Sequence, residues 1–254
     1  MRNESEKGGP GPLLSKSVAA LAIEPLTMNL TVTSRKAYDV MLWIAQRQPP
    51  TEDGFYSSPV AAILKGYGSD TRLSERLQEY LEQMVHTTVV WRPLTVSEPV
   101  SLTLDGMEGE GKVTDEQRTF PLLAEVRRFQ RAGQAWVSWF YPPSIREQLI
   151  NPERWAQIEL TTIAHLTTYT AVALYEICAR YKDSPAGITG RYEPDFLGRV
   201  LREQSGAKPR PWRKFKHELL RPAIEEINET SEIQVELVEH RRGRTVGEVQ
   251  FKVM

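Results

Sequence analysis

Residues 211–253 read PWRKFKHELLRPAIEEINETSEIQVELVEHRRGRTVGEVQFKV. Pro211 suits the first position of a helix, where its missing N–H would have had no partner. Phe215, Leu219, Leu220, Ala223 and Ile227 then recur at helical spacing and form one apolar stripe. Pro222 falls inside that stripe. An interior proline costs about 3 kcal/mol, so a kink or break is predicted there. Beyond it the period changes to two. Ile233, Val235 and Leu237 alternate on one strand and Val249, Phe251 and Val253 on the other, with Arg241, Arg242, Gly243 and Arg244 at the tip. A few helices cannot bury their whole apolar face among themselves, and a hairpin packed on their side completes the core. Helices followed by such a hairpin make a winged-helix unit.

Working upstream, the second half begins with a short strand over 158–160. A helix over 168–181 carries Ala171, Leu174, Tyr175 and Cys178 on one face. A loop at 183–190 precedes a helix over 195–204 with Phe196, Leu197 and Val200 inward, and Gly206 and Pro209 mark a turn. The first half has the same order. Thr33 and Ser34 cap a helix to about Gln46, with Tyr38, Met41, Leu42 and Ala45 on its apolar face. Pro49 and Pro50 stop it. A short helix over 58–65 ends at Gly66 and Gly68, and Asp70 caps a third whose stripe is Leu73, Leu77, Leu81, Met84 and Val85. A strand over 87–91, an acidic glycine-rich loop at 105–117, a hairpin of 120–129 and 135–141 turning at Gly133, and a short helix over 144–149 complete it. The predicted fold is α+β, with tandem winged-helix domains at 15–150 and 151–254 behind a polar tail, 1–14, read as disordered. The two halves match in architecture without a residue-level repeat.

The chain has 254 residues, 40% hydrophobic and 26% charged, which suits one large or two ordinary domains. With a net charge of −1, any attraction for a polyanion has to be local. Cys178 is the only cysteine, so no internal disulfide forms, in keeping with a reducing cytoplasm. No apolar run is long enough to span a membrane, and the first residues lack the apolar core of a signal peptide. His86, His165, His217 and His240 have no paired ligand spacing, so neither a metal nor another cofactor is expected. Gly106, Gly109 and Gly111 sit among Glu108, Glu110 and Asp115, which would repel phosphate. No acid, base and nucleophile constellation emerges, and no enzymatic activity is expected.

Local positive charge is found at two places. Lys208, Arg210, Arg213, Lys214, Lys216 and Arg221 lie in one segment against a single acid, Glu218. Arg213, Lys214 and His217 share the helix face opposite Phe215 and Leu219. Long basic side chains on such a face reach phosphate oxygens, and arginine also grips guanine at two atoms. Trp212 either packs on the sugar–phosphate backbone or staples the helix start. Arg241, Arg242 and Arg244 charge the hairpin tip. A basic helix with an arginine wing suits double-stranded DNA, the helix in the major groove and the wing on backbone or minor groove. Taken alone, the basic run reads equally as a solvated face. Arg35, Lys36, Lys65, Arg72 and Arg76 are candidates for a second contact, although Glu75 and Glu79 can engage Arg72 and Arg76 in ordinary ion pairs. Trp136, Trp139, Phe140 and Tyr141 alternate as a strand does and serve either the core or a protein interface.

The stretch SRKAYDVML from Ser34 resembles the first helix of plasmid replication initiators of the RepB/RepE type, and TYTAVALYEI from Thr168 resembles the start of their second domain. The stronger resemblance runs from Trp212 to Val253, through Phe215-Lys216, LRPAIEEIN ending at Asn228, the arginine turn at 241–244 and VQFKV ending at Val253. Pro222 is usual in that pattern. The resemblance implies two winged-helix domains, binding to DNA repeats (iterons) at a plasmid origin, and a monomer–dimer equilibrium. It also implies dimers that repress their own promoter at an inverted repeat, and contacts with the host initiator and replicative helicase. The first domain is expected to carry self-association. A winged-helix transcriptional regulator without a replication role, and a winged-helix protein-interaction scaffold, are the competing readings.

Overall fold

The computed structural model describes residues 11–66, 74–92, 118–203 and 210–254. The expected tail up to residue 10, the Asp70 cap, the 105–117 loop, Arg72 and Lys208 lie outside the described residues. Strand β1 (Leu13–Ser17) comes first, so Leu13 and Leu14, read as tail, are ordered, and Leu14 is fully buried. A single 3₁₀ turn (Val18–Ala20) leads to β2 (Ile23–Pro25). Helix α1 (Val32–Ala45) starts two residues earlier than expected, because Thr31 provides the cap, its side-chain oxygen accepting the Ser34 N–H at 3.1 Å. Tyr38, Met41, Leu42 and Ala45 are buried.

Among the described residues the first unit is built around α1, α2 (Val60–Gly66) and α3 (Ser74–His86), flanked by two antiparallel sheets. One orders β2, β4 (Thr88–Trp91) and β5 (Arg118–Pro121). The other orders β3 (Tyr56–Pro59), β7 (Gln134–Phe140) and β6 (Glu125–Arg131). The strand predicted at 120–129 is thus divided between two sheets. Leu122 and Leu123, buried at 1% and 0% exposure, drive the crossing by sinking into the core between them. Ala132 (φ +49°) and Gly133 (φ +75°) both adopt the left-handed region in the β6–β7 turn, as a two-residue hairpin loop that follows the strand twist requires.

After α4 (Pro143–Ile150), strand β8 (Trp155–Glu159) and helix α5 (Leu160–His165) open the second unit. Helix α6 (Tyr169–Ala179) is capped by Thr168, whose side-chain oxygen accepts the Ala171 N–H, and is buried at every position, which fits its nearly all-apolar sequence. Then come α7 (Pro194–Val200), α8 (Trp212–Phe215), a π-helical turn (Lys216–Leu220), α9 (Arg221–Thr230) and the β9 (Val235–Arg242) and β10 (Thr245–Val253) hairpin. The irregularity predicted at Pro222 takes the form of that π turn. Pro222 has no N–H for the residue 218 carbonyl and its ring crowds that carbonyl, so the helix widens just before it and continues beyond.

The two units share one continuous apolar core. β1, ahead of the first unit, pairs along its length with β8, from Leu13 opposite Glu159 to Ser17 opposite Trp155. The Leu30 N–H donates to the Glu203 carbonyl at 2.9 Å. Between the units lies a cluster of charges with essentially no solvent. Lys16 Nζ is 2.6 Å from Asp39 and 2.8 Å from Glu176, and Arg35 Nη2 is 2.5 Å from Glu176. Among the described residues no helix is long and apolar enough to cross a membrane.

Candidate nucleic-acid interface

Phe215 and Leu220, 2% and 0% exposed, anchor α8 and the π turn on the core. Their burial turns Arg213, Lys214, His217 and Glu218 outward, and all four are exposed, as is Arg221 at the start of α9. The predicted face therefore exists, but its members differ. The Trp212 indole N–H donates to Glu239 Oε1 at 2.6 Å, and Lys216 Nζ donates to the same oxygen at 2.9 Å. Of the two roles read for Trp212, the geometry is that of the staple: it pins the helix start to β9. Burial works to raise the Glu239 pKa. The hydrogen bonds from Lys216 and Trp212, with the charges of Lys216 and Arg241, outweigh it and hold the carboxyl below the usual range. Lys216 is thus largely spent inside the domain, its side chain 17% exposed. Arg210 donates to Glu218 at 2.9 Å, and Lys214 lies 3.8 Å from the same carboxylate.

The wing is built as expected. Arg241, Arg242 and Arg244 are exposed around Gly243, whose φ of +65° is the left-handed conformation that a tight tip demands. Arg242, 76% exposed, comes within 3.6 Å of Glu248, which also faces Arg191 at 3.4 Å. A bulge between Val246 and Glu248 bends the arm below the tip. The segment Gly187–Tyr192 runs along β10 through bridges at Ile188 and Tyr192, bracing the hairpin from the side.

In the first unit the structure corrects the candidate list. Arg35 is not at the surface. It is 1% exposed, donates through Nε and Nη2 to Glu176, through Nη1 to the Tyr169 hydroxyl and through Nη2 to the Leu21 carbonyl. Burial would lower its pKa, but Glu176, Tyr169 and Asp39 raise it on balance. A guanidinium so placed ties the two units together and cannot reach a duplex. Lys36 is half-buried and donates to the Ala164 carbonyl at 2.9 Å. Lys65 is exposed at the end of α2, and Arg76 lies on α3, its side chain outside the description.

What the sequence reading passed over is β6. Arg127, Arg128 and Arg131 project from this edge strand, which is exposed at nearly every position. Arg127 sits over the Phe55 ring at 3.7 Å and pairs with Asp53 at 2.7 Å, Arg128 reaches Glu82 at 2.6 Å, and Arg131 covers Trp136 at 5.2 Å. Three arginines in seven residues ahead of a hairpin turn, a pattern like the arginine tip of the second wing, were the available signal. The aromatic strand, in contrast, is the middle strand of its sheet. Trp139 and Tyr141 are fully buried, so it leaves no open apolar face, and the large apolar residue exposed on this hairpin is Phe129 on β6, 41% exposed.

Residues 201–253 match the family model "Initiator Rep protein, WH2". Among solved structures, the chain resembles the Pi initiator protein in a complex with iteron DNA. The TM-score is 0.66 and the identity 15%, over 97% of this chain and 98% of that one. Domains 2 and 3 of RctB align more loosely, with a TM-score of 0.46 at 13% identity over 89% of this chain and 83% of that one. No curated protein sequence matches the chain. The fold is that of two tandem winged-helix units. Residues 201–253 of its second unit resemble the WH2 domain of initiator Rep proteins, and the resemblance to plasmid replication initiators read from the sequence holds.

Proposed function

We propose that this protein is a sequence-specific, double-stranded DNA-binding initiator of plasmid replication, acting without catalysis of its own. The observation that carries the reading is the second unit. A domain matching the initiator Rep family exposes Arg213, Lys214, His217 and Arg221 on one helical face and Arg241, Arg242 and Arg244 on the adjacent wing. Helix residues of this kind read base edges in the major groove, and wing arginines hold phosphates or the minor groove. The binding of iteron DNA by the similarly folded Pi initiator supports direct repeats as the target. In the first unit, Arg127, Arg128 and Arg131 on β6 form the second basic contact in place of Arg35. Self-association through the open β6 edge and Phe129, repression of its own promoter at an inverted repeat, contacts with a host initiator and helicase, and a cytoplasmic location complete the proposal.

The test is a footprint of the purified chain on the DNA flanking its own coding region, together with maintenance of an origin-less plasmid carrying that region. Protection of tandem repeats, with maintenance abolished by Arg213→Ala, is expected. Protection of a lone palindrome without maintenance would favour the transcriptional regulator. Absence of salt-dependent DNA binding would favour the scaffold.

A further inference from the structure

Glu218 is an acid in the middle of the basic face. Its carboxylate holds Arg210 through one oxygen at 2.9 Å and approaches Lys214 through the other at 3.8 Å, and its side chain is 46% exposed. Arg221 follows one helical turn later. Trp212 and Lys216, which fix this helix to β9, point elsewhere, so the carboxylate is displayed beside the residues that face a duplex.

We propose that Glu218 is a specificity-determining residue that discriminates against non-cognate DNA. This rests on the DNA-binding reading above. In a loose electrostatic complex the helix faces phosphates. Glu218 then repels the backbone and competes with it for Arg210 and Lys214. In the seated complex the middle of the helix faces base edges, where the amino groups of cytosine and adenine donate hydrogen bonds and a carboxylate is a suitable acceptor. The same charge therefore penalises the first complex and is tolerated or used in the second. Non-specific binding arises almost wholly from phosphate neutralisation, so one opposing charge on this face acts mainly on that term.

The experiment uses the full chain and its isosteric, uncharged variant Glu218→Gln. The unaltered chain first enriches a duplex from a randomised library. Both proteins are then titrated against that duplex and a shuffled duplex of the same composition, across a salt series. Affinity of the variant for the shuffled duplex should rise roughly fivefold, the scale of one like-charge contact in water. Its salt slope should steepen by about 0.9, as for one more neutralised phosphate. Affinity for the selected duplex should rise less or fall, so the ratio of the two declines. A ratio that is unchanged or larger overturns the proposal, since the acid would then be a plain counter-ion or a structural support. No enrichment by the unaltered chain overturns the DNA-binding reading itself, and this proposal with it.

Discussion

Replacing Glu176 by Gln perturbs the buried charge cluster at its centre. Glu176 accepts from Arg35 Nε at 3.0 Å and Nη2 at 2.5 Å and from Lys16 Nζ, 2.8 Å away, with no exposure of the three side chains beyond 1%. Two cations face two acids in the native cluster, and glutamine leaves them facing Asp39 alone while aiming an amide N–H₂ at one of them. Removing one member of a buried pair costs about 3–5 kcal/mol, because the remaining charge stays desolvated. Here the lower end applies. Burial and the adjacent Glu176 carboxylate push Asp39 up to about 7 against the pull of Lys16. Without Glu176 that acid ionises more readily beside Lys16 and restores part of the lost attraction. A loss of about 3 kcal/mol is therefore expected in urea unfolding followed by circular dichroism at neutral pH. Because the partners lie on β1, α1 and α6, hydrogen exchange should accelerate in both units. The pH profile carries a sign as well. Burial alone would raise Glu176, but Arg35 and Lys16 hold it at about 2, below the ordinary 4.5. Its contribution is present above pH 4.5 and is lost as the pH falls toward 2, so the acid limb of the stability curve should flatten in the variant. Asp53→Asn, which opens the exposed Arg127 pair, should leave the unfolding midpoint unmoved. A Glu176→Gln midpoint as close to native as that of Asp53→Asn would refute the reasoning.

Asp39 runs the other way: its folded pKa of about 7 lies above the ordinary 3.8, so stability tied to it is full below pH 3.8 and is lost as the pH rises through 7. The stability of Asp39→Asn relative to the native chain should therefore improve steadily across that window in parallel urea titrations. Arg213→Ala should cost about 1–3 kcal/mol on a selected duplex and little on a shuffled one, whereas Arg242→Ala should weaken both and lower the salt slope by about one unit. Equal effects of the two would put the base-reading surface elsewhere. Burial alone pushes the Cys178 thiol well above its usual range, so the folded chain should resist a thiol reagent until denaturant is added, and prompt labelling would contradict the packing of α6. Gly187→Ala should destabilise by more than about 1 kcal/mol in thermal melts, since φ is +52° there and a methyl would come 2.5 Å from the Val253 carbonyl oxygen.

The second unit was legible because its signals are local. The helical stripe through Phe215 and Ile227, the alternation on either side of Gly243 and the proline at 222 each act within a few residues, and the structure keeps all of them. The first unit was read less well wherever a long-range partner decides. Arg35 looked like a surface cation on an amphipathic helix until Glu176, 141 positions away, took it into the core. The division of 120–129 between two sheets depends on β4 and β7, neither of which the alternation of that stretch can name. In the second unit α5 was missed, because six residues are too few to establish a period. In the candidate site, the exposure of Arg213, Lys214, His217, Arg221 and the tip arginines was read correctly, whereas that of Trp212, Lys216 and Arg35 was not. Nothing about Trp212 and Lys216 in the sequence marks Glu239 as their common acceptor.

The pairing of β1 with β8 also sets an order of events during synthesis. Ser17 leaves the ribosome 138 residues before its register partner Trp155, a delay of about 7–28 s at roughly 5–20 residues per second. Throughout that interval Lys16 has no strand to hold it beside Asp39, and Arg35 waits longer still for Glu176. The first unit is therefore made early but finished late, and its final closure coincides with the birth of the domain that bears the basic helix. A nascent chain halted before α6 would keep Arg35 and Lys16 hydrated and its core unsealed, so the first unit is completed only as the second is made.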